Sequence, residues 1–196
     1  MTGTPETETP PLRPPLDEYA RQFEALAQEA TGLVDGLDRQ RLNGSPKPGE
    51  QWSVGQCLEH LATVNRKYGR RLEAGIDRAW ERGLVERPER GVRYGWFERW
   101  FLGSLEPPPK RRFSAPKAVV PASDLDLDVL DRYLESNQTL RGLIVRASGL
   151  DISRAKITSP LSKLLKLRLG AAFAILAAHD RRHLWQAQRI LDQQRP

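Results

Sequence analysis

Apolar residues recur along most of this chain at intervals of three and four, the period of a helix with one buried face. Leu16, Tyr19, Phe23, Leu26, Ala30, Leu33 and Leu37 keep that period and predict a first helix from Leu16 to about Leu37, just after Pro14 and Pro15. Gly44, Pro46, Pro48 and Gly49 then break the chain between Asn43 and Gly49. The start of a second helix is marked twice over. Ser53 and Gln56 have capping-box spacing, and Trp52 and Cys57 hold the hydrophobic-staple positions around them. This helix is expected to run to about Arg82, with Cys57, His60, Leu61, Val64, Tyr68 and Leu72 on one face.

From Gly83 to Ala122 the period is lost, and prolines at 88, 107, 108, 109, 116 and 121 forbid a long helix. Within this stretch Tyr94, Trp96, Phe97, Trp100 and Phe101 predict a short helix that covers one end of the domain, with a functional lid as the alternative. A third helix is expected from a cap at Ser123, with Asp124 and Asp126 in its first turn, through Leu127, Leu130, Leu134, Leu140 and Leu143 to about Ala147. The last is expected from about Leu164 or Arg168 to Gln193, with Leu169, Ala172, Phe173, Leu176, His179, His183, Ala187 and Ile190 facing inward. No segment shows convincing strand alternation, and no internal repeat is found. Four long amphipathic helices with one long connection read as an all-α four-helix bundle.

Composition adjusts the edges of this picture. Met1 to Pro15 holds five prolines and almost nothing apolar, so it is read as a disordered arm ahead of one domain over 16–196. It lacks a basic segment followed by an apolar one, and the longest uncharged apolar run, Leu169 to Ala178, is far short of the roughly 20 residues that span a bilayer. A cytoplasmic protein without a membrane segment is expected. The single Cys57 excludes an internal disulfide and agrees with that compartment. The net charge of +6 and pI near 9.8 raise the question of nucleic acid. The surplus lies in two stretches, ten basic against five acidic residues over 78–117 and eight against one over 154–189. Such a surplus attracts polyanions weakly but specifies no reader of sequence, so no specific nucleic-acid partner is expected.

The only three histidines, His60, His179 and His183, all fall on predicted inner faces. His179 and His183 are four apart and sit one above the other, and His60 from a distant helix supplies a third imidazole. Three neutral imidazoles with a fourth position left for an outside ligand make an open metal site. The competing account is three core histidines, each satisfied by a hydrogen bond. It is the costlier one, because imidazoles buried together need several polar partners while one divalent ion occupies a nitrogen on each. Around them, Cys57 is read first as packing, Glu59 and Asp180 as exposed because each neighbours an inward histidine, and Tyr68 as a hydrogen-bonded core tyrosine. Arg87, Arg90, Arg93, Arg99, Lys110, Arg111 and Arg112 are read as solvated surface, with steering of an anionic substrate as the alternative.

The string from Gln51 through Trp52, Ser53 and His60 to Leu61, coupled to His179-Asp180-Arg181-Arg182-His183-Leu184-Trp185-Gln186, resembles the DinB/YfiT-like family of bacterial metalloproteins. The resemblance spans roughly residues 16 to 193. It implies a four-helix bundle whose metal ligands are His60, His179 and His183, holding a divalent ion, with zinc or nickel foremost. Related proteins are S-transferases using a low-molecular-weight thiol such as bacillithiol or mycothiol, and others are described as metal-dependent hydrolases. The expectation is therefore a metal-dependent enzyme acting on a small molecule, thiol transfer ahead of hydrolysis, with a non-enzymatic metal- or ligand-binding bundle as the competing class. The resemblance also makes a homodimer reasonable.

Overall fold

The computed structural model describes residues 12–86, 93–109 and 114–194. Four long helices build the domain: α1 (Leu16–Val34), α3 (Val54–Glu81), α5 (Val129–Arg146) and α6 (Leu169–Gln193). Two shorter ones, α2 (Arg39–Asn43) and α4 (Trp96–Leu105), lie in the connections. Around the bundle the neighbours run α1, α5, α3, α6 and back to α1. Consecutive long helices α1 and α3 are thus diagonal, as are α5 and α6, and the core closes between them. Among the described residues no helix is long and apolar enough to cross a membrane.

The helices form where the apolar period demands them. Tyr19, Phe23, Leu26 and Ala30 of α1 are buried, as are Leu140 and Ile144 of α5 and the whole of α6 from Leu169 to Ala178. The small side chains at 171, 172, 174, 177 and 178 let neighbouring helices approach α6 closely over that run. The α3 start is the one the sequence marks: Ser53 Oγ accepts from the Gln56 N–H and Gln56 Oε1 from the Ser53 N–H. These bonds occupy two of the four N–H groups that a helix N-terminus leaves unpaired.

Several expectations are corrected. The first helix ends at Val34 rather than Leu37, because Gly36 at φ +68° turns the chain away. The unforeseen α2 is capped by Asp38, which accepts from the Arg41 N–H, and is anchored by fully buried Leu42. The third long helix begins at Val129, behind Asp128, and not at Ser123. Its predicted first turn is held elsewhere: Asn43 exchanges two hydrogen bonds with the backbone of Leu125, and Arg39 pairs with Asp124 and Asp126. That tertiary clasp holds the segment outside the helix, in bends and a turn, and Leu127 is exposed rather than inward. The last helix starts at Leu169, and the residues before it form two strands the periodicity did not reveal. Antiparallel β1 (Lys156–Thr158) and β2 (Lys166–Arg168) pair Ile157 with Leu167. Three residues per strand are too few for alternation to register. The predicted N-terminal arm lies outside the described residues except for its last four positions.

A candidate metal centre

His60 sits two turns into α3, and His179 and His183 sit four apart on α6, the helix packed beside it. The Nε2 atoms of His60 and His179 are 3.2 Å apart, and one ligating atom from each of the three rings lies within 4.8 Å of the others. Tautomers follow from what holds the opposite ring atoms. His60 Nδ1–H donates to the Val119 carbonyl at 2.8 Å, and His183 Nδ1–H to Gln186 Oε1 at 3.1 Å. Each leaves its Nε2 lone pair for the common point. Partners of this kind, on the far nitrogen, are what orient metal-binding imidazoles.

The protonation state agrees. Burial pushes all three imidazoles below the ordinary histidine value, His179 to about 3, and for His179 and His183 the neighbouring rings and Arg182 push further the same way. At neutral pH the cluster is uncharged, the form that ligates. Two nitrogens each about 2.0–2.1 Å from a tetrahedral cation lie about 3.3 Å apart, so the 3.2 Å separation suits a shared ion. The donor set is compatible with binding a divalent metal.

On one side the cluster faces a cavity of about 760 Å³. Its wall is largely apolar, built by Val64 and Tyr68 of α3, Ile175 and Leu176 of α6, and Phe101 and Leu105 of α4. The Trp52 ring covers the imidazoles, 4.8 Å from His60 and stacked at 5.6 Å on His183. Arg182 and Arg189 bring positive charge to the lining. The other side of the cluster is closed. Asp180 is fully buried there, where its Oδ2 accepts from Asn65 Nδ2 at 3.0 Å and from the Tyr133 hydroxyl at 3.1 Å. Burial raises its carboxyl to about 7, against the pull of those two donors.

A model of the DinB superfamily matches residues 22–187. The chain belongs to the DinB superfamily. No curated protein and no solved structure matches it.

In this DinB-superfamily protein the three sequence-predicted histidines come together, and most of the other candidates do not join them. Cys57 is fully buried, its thiol pushed up by desolvation, and lies outside the cluster. Glu59 points to Arg132 of α5 and Arg66 instead. Tyr68 is buried and shares a hydrogen bond with Ser159 Oγ at 2.9 Å while also lining the cavity. The aromatic stretch forms α4, which packs on α6 and supplies cavity wall through Phe101. Arg93 and Arg99 are exposed and do not line the cavity, while Arg87, Arg90, Lys110, Arg111 and Arg112 lie outside the described residues.

Asp180 is the reversal. Neighbouring a ligand position turns a residue about 100° around the helix, and exposure was the expectation. But α6 is enclosed on several sides, so 100° of rotation still ends inside the bundle, among donors from α3 and α5. Sequence reasoning also missed Trp52 as a cover, the Val119 carbonyl, Asn65 and Tyr133. Of the added partners only Gln186 was legible, lying three residues after His183 on the same helix.

Proposed function

We propose that this protein is a metal-dependent enzyme in which His60, His179 and His183 hold one divalent cation, zinc or nickel, and which transfers a low-molecular-weight thiol to a small electrophile. The observation that carries the reading is three neutral imidazoles aimed at one point in the wall of a 760 Å³ cavity. Three protein nitrogens leave room for an outside ligand, as open catalytic sites do and closed structural sites do not. When bound, the cation would supply Lewis acidity, holding a thiol or a water in its anionic form at neutral pH.

The chain's own residues do the rest. Val119 and Gln186 fix the His60 and His183 rings. Phe101, Leu105, Ile175 and Leu176 offer the hydrocarbon part of a substrate an apolar wall and keep water from it, and Arg182 favours an anionic group nearby. Thiol transfer ranks ahead of hydrolysis on one point. Among the described residues the only carboxylate lining the cavity is Glu50, which is exposed, so no buried carboxylate stands ready to take a proton from an attacking water. Hydrolysis is the second reading, supported by the same donor set.

The test is metal content by elemental mass spectrometry on untagged protein, wild type beside His183→Ala. About one divalent ion per chain, lost in the variant, is expected. No stoichiometric ion, even after reconstitution, returns the histidines to core polar residues. With the ion established, a thiol with an electrophile and a panel of hydrolysable esters and amides separate the two chemistries.

A further inference from the structure

Two of the three imidazoles have an evident partner for the nitrogen that turns away from the cluster: the Val119 carbonyl for His60 and Gln186 for His183. His179 has none at hydrogen-bond distance. Its Nδ1 is buried without a partner among the described residues, and so is Asp180 Oδ1. These two atoms are 3.9 Å apart.

Asp180 has no other evident employment. It is fully buried, it does not line the cavity, and it forms no ion pair with an arginine or lysine among the described residues. Burying a carboxylate is costly unless donors surround it, and this one receives two from different helices, Asn65 of α3 and Tyr133 of α5. Both converge on Oδ2. The arrangement holds the carboxylate by one oxygen and leaves the other toward the histidine.

We propose that Asp180 is the positioning residue of His179: its free oxygen takes the His179 Nδ1–H and so keeps the Nε2 lone pair aimed at the cation site. The inference rests on the reading that the three histidines bind a cation. It also makes His179 unlike its two companions. With a cation on Nε2 and Asp180 ionised, its partner is an anion where theirs are neutral oxygens, which makes His179 the strongest donor of the three. Asn65 and Tyr133 act one step further back, by anchoring the carboxylate.

Asp180→Asn tests this with little change of shape. The new side-chain carbonyl can still accept from Asn65 and Tyr133, while its NH₂ group faces His179 Nδ1 and favours the opposite tautomer. Zinc affinity, measured by competition with a chromophoric chelator, is expected to fall about 10- to 100-fold. In a His179→Ala background the same change is expected to cost nothing further, which a merely structural role would not produce. In zinc-loaded wild type, nitrogen-15 histidine spectra are expected to show the His179 Nδ1 proton far downfield and slow to exchange. Asp180→Asn moves that signal and leaves those of His60 and His183 in place.

Wild-type zinc affinity together with an unmoved His179 signal in Asp180→Asn overturns the proposal. Should that variant not fold, Tyr133→Phe removes one anchoring donor and keeps the ring. A smaller loss of affinity and a smaller shift of the same signal support the proposal there, and no change overturns it. Wild type that takes up neither zinc nor nickel overturns the cation reading and this inference together. Wild type that binds, beside an Asp180→Asn that binds equally and leaves the His179 signal unmoved, overturns this inference alone.

Discussion

The histidine-bearing half of the bundle, α3 with α6, and the connection from residue 82 to 128 enclose the same cavity by different means. In α3 and α6 the inward placement of the three imidazoles follows from helical period and an apolar face, so many small contacts hold each imidazole. The described parts of the connection add identifiable polar contacts to the apolar anchors Leu105, Val119 and Leu125. Glu98, nearly inaccessible at the start of α4, accepts from the Gly95 and Arg168 N–H groups and from the Arg168 guanidinium. Glu106 pairs with Arg181, and Arg182 donates to the Ser104 carbonyl. Donor geometry is therefore distributed over a packed core, whereas the part of the wall that α4 supplies rests also on a few identifiable bonds.

The largest effect expected is on the donor side. His183→Ala removes one of three ligands, and elemental analysis should show the ion gone while circular dichroism shows the helices intact. Retention of a stoichiometric ion would break the comparison, since it would place the donors elsewhere. On the wall side, Glu98→Ala leaves two backbone N–H groups and a guanidinium without their acceptor. A loss of about 2–4 kcal/mol in denaturant unfolding is expected, with metal content unchanged. Loss of metal along with stability would show that the two regions are not separable.

A smaller effect is expected within the packed half. A Cβ at Gly75 of α3 would lie 2.5 Å from Ile157 Cγ2, on a buried β-branched side chain that cannot swing clear. Overpacking of about 1–3 kcal/mol, offset by about 1 kcal/mol of helix propensity, predicts that Gly75→Ala lowers stability modestly. Unfolding at the wild-type midpoint would show that β1 yields to the added methyl.

The pH dependence of the metal-free protein sharpens the contrast further. His179 titrates at about 3 in the fold and 6.5 when unfolded, so between those values the unfolded chain binds the extra proton and stability rises with pH. His60 and His183, also lowered, add to the rise. Asp180 opposes it: raised from 3.8 to about 7, it makes stability fall as pH climbs through that window. At the cluster, three groups against one give a net gain from about pH 4 to 6.5, readable as midpoints of urea unfolding. A flat or falling profile would mean that the imidazoles are not desolvated as a cluster. The smallest effect is expected at Arg99, exposed and off the cavity: Arg99→Ala should change stability by less than about 0.5 kcal/mol and leave ligand binding as it was.

What was legible in the sequence divides along the same line. The all-α bundle, the Ser53 cap and the inward placement of all three histidines follow from local spacing, and the fold keeps them. The short α2, the late start of α5 and the β1–β2 pairing do not, because each depends on a bond between distant residues. Asn43 with Leu125 decides where α5 begins, and Ile157 opposite Leu167 decides that there is a sheet at all. The same holds around the cluster. Gln186 was within reach of helical arithmetic, while Asn65, Tyr133 and the Val119 carbonyl were not.

The sequence by itself determined that three imidazoles would face inward from two helices, since an amphipathic helix has only one face to bury. Only the tertiary structure decided that these faces meet at one point, that Trp52 covers it, and that Asp180 is enclosed behind it. Helical period fixes direction around one axis. Which axes lie side by side, and what they trap between them, is set by packing among segments far apart in the chain.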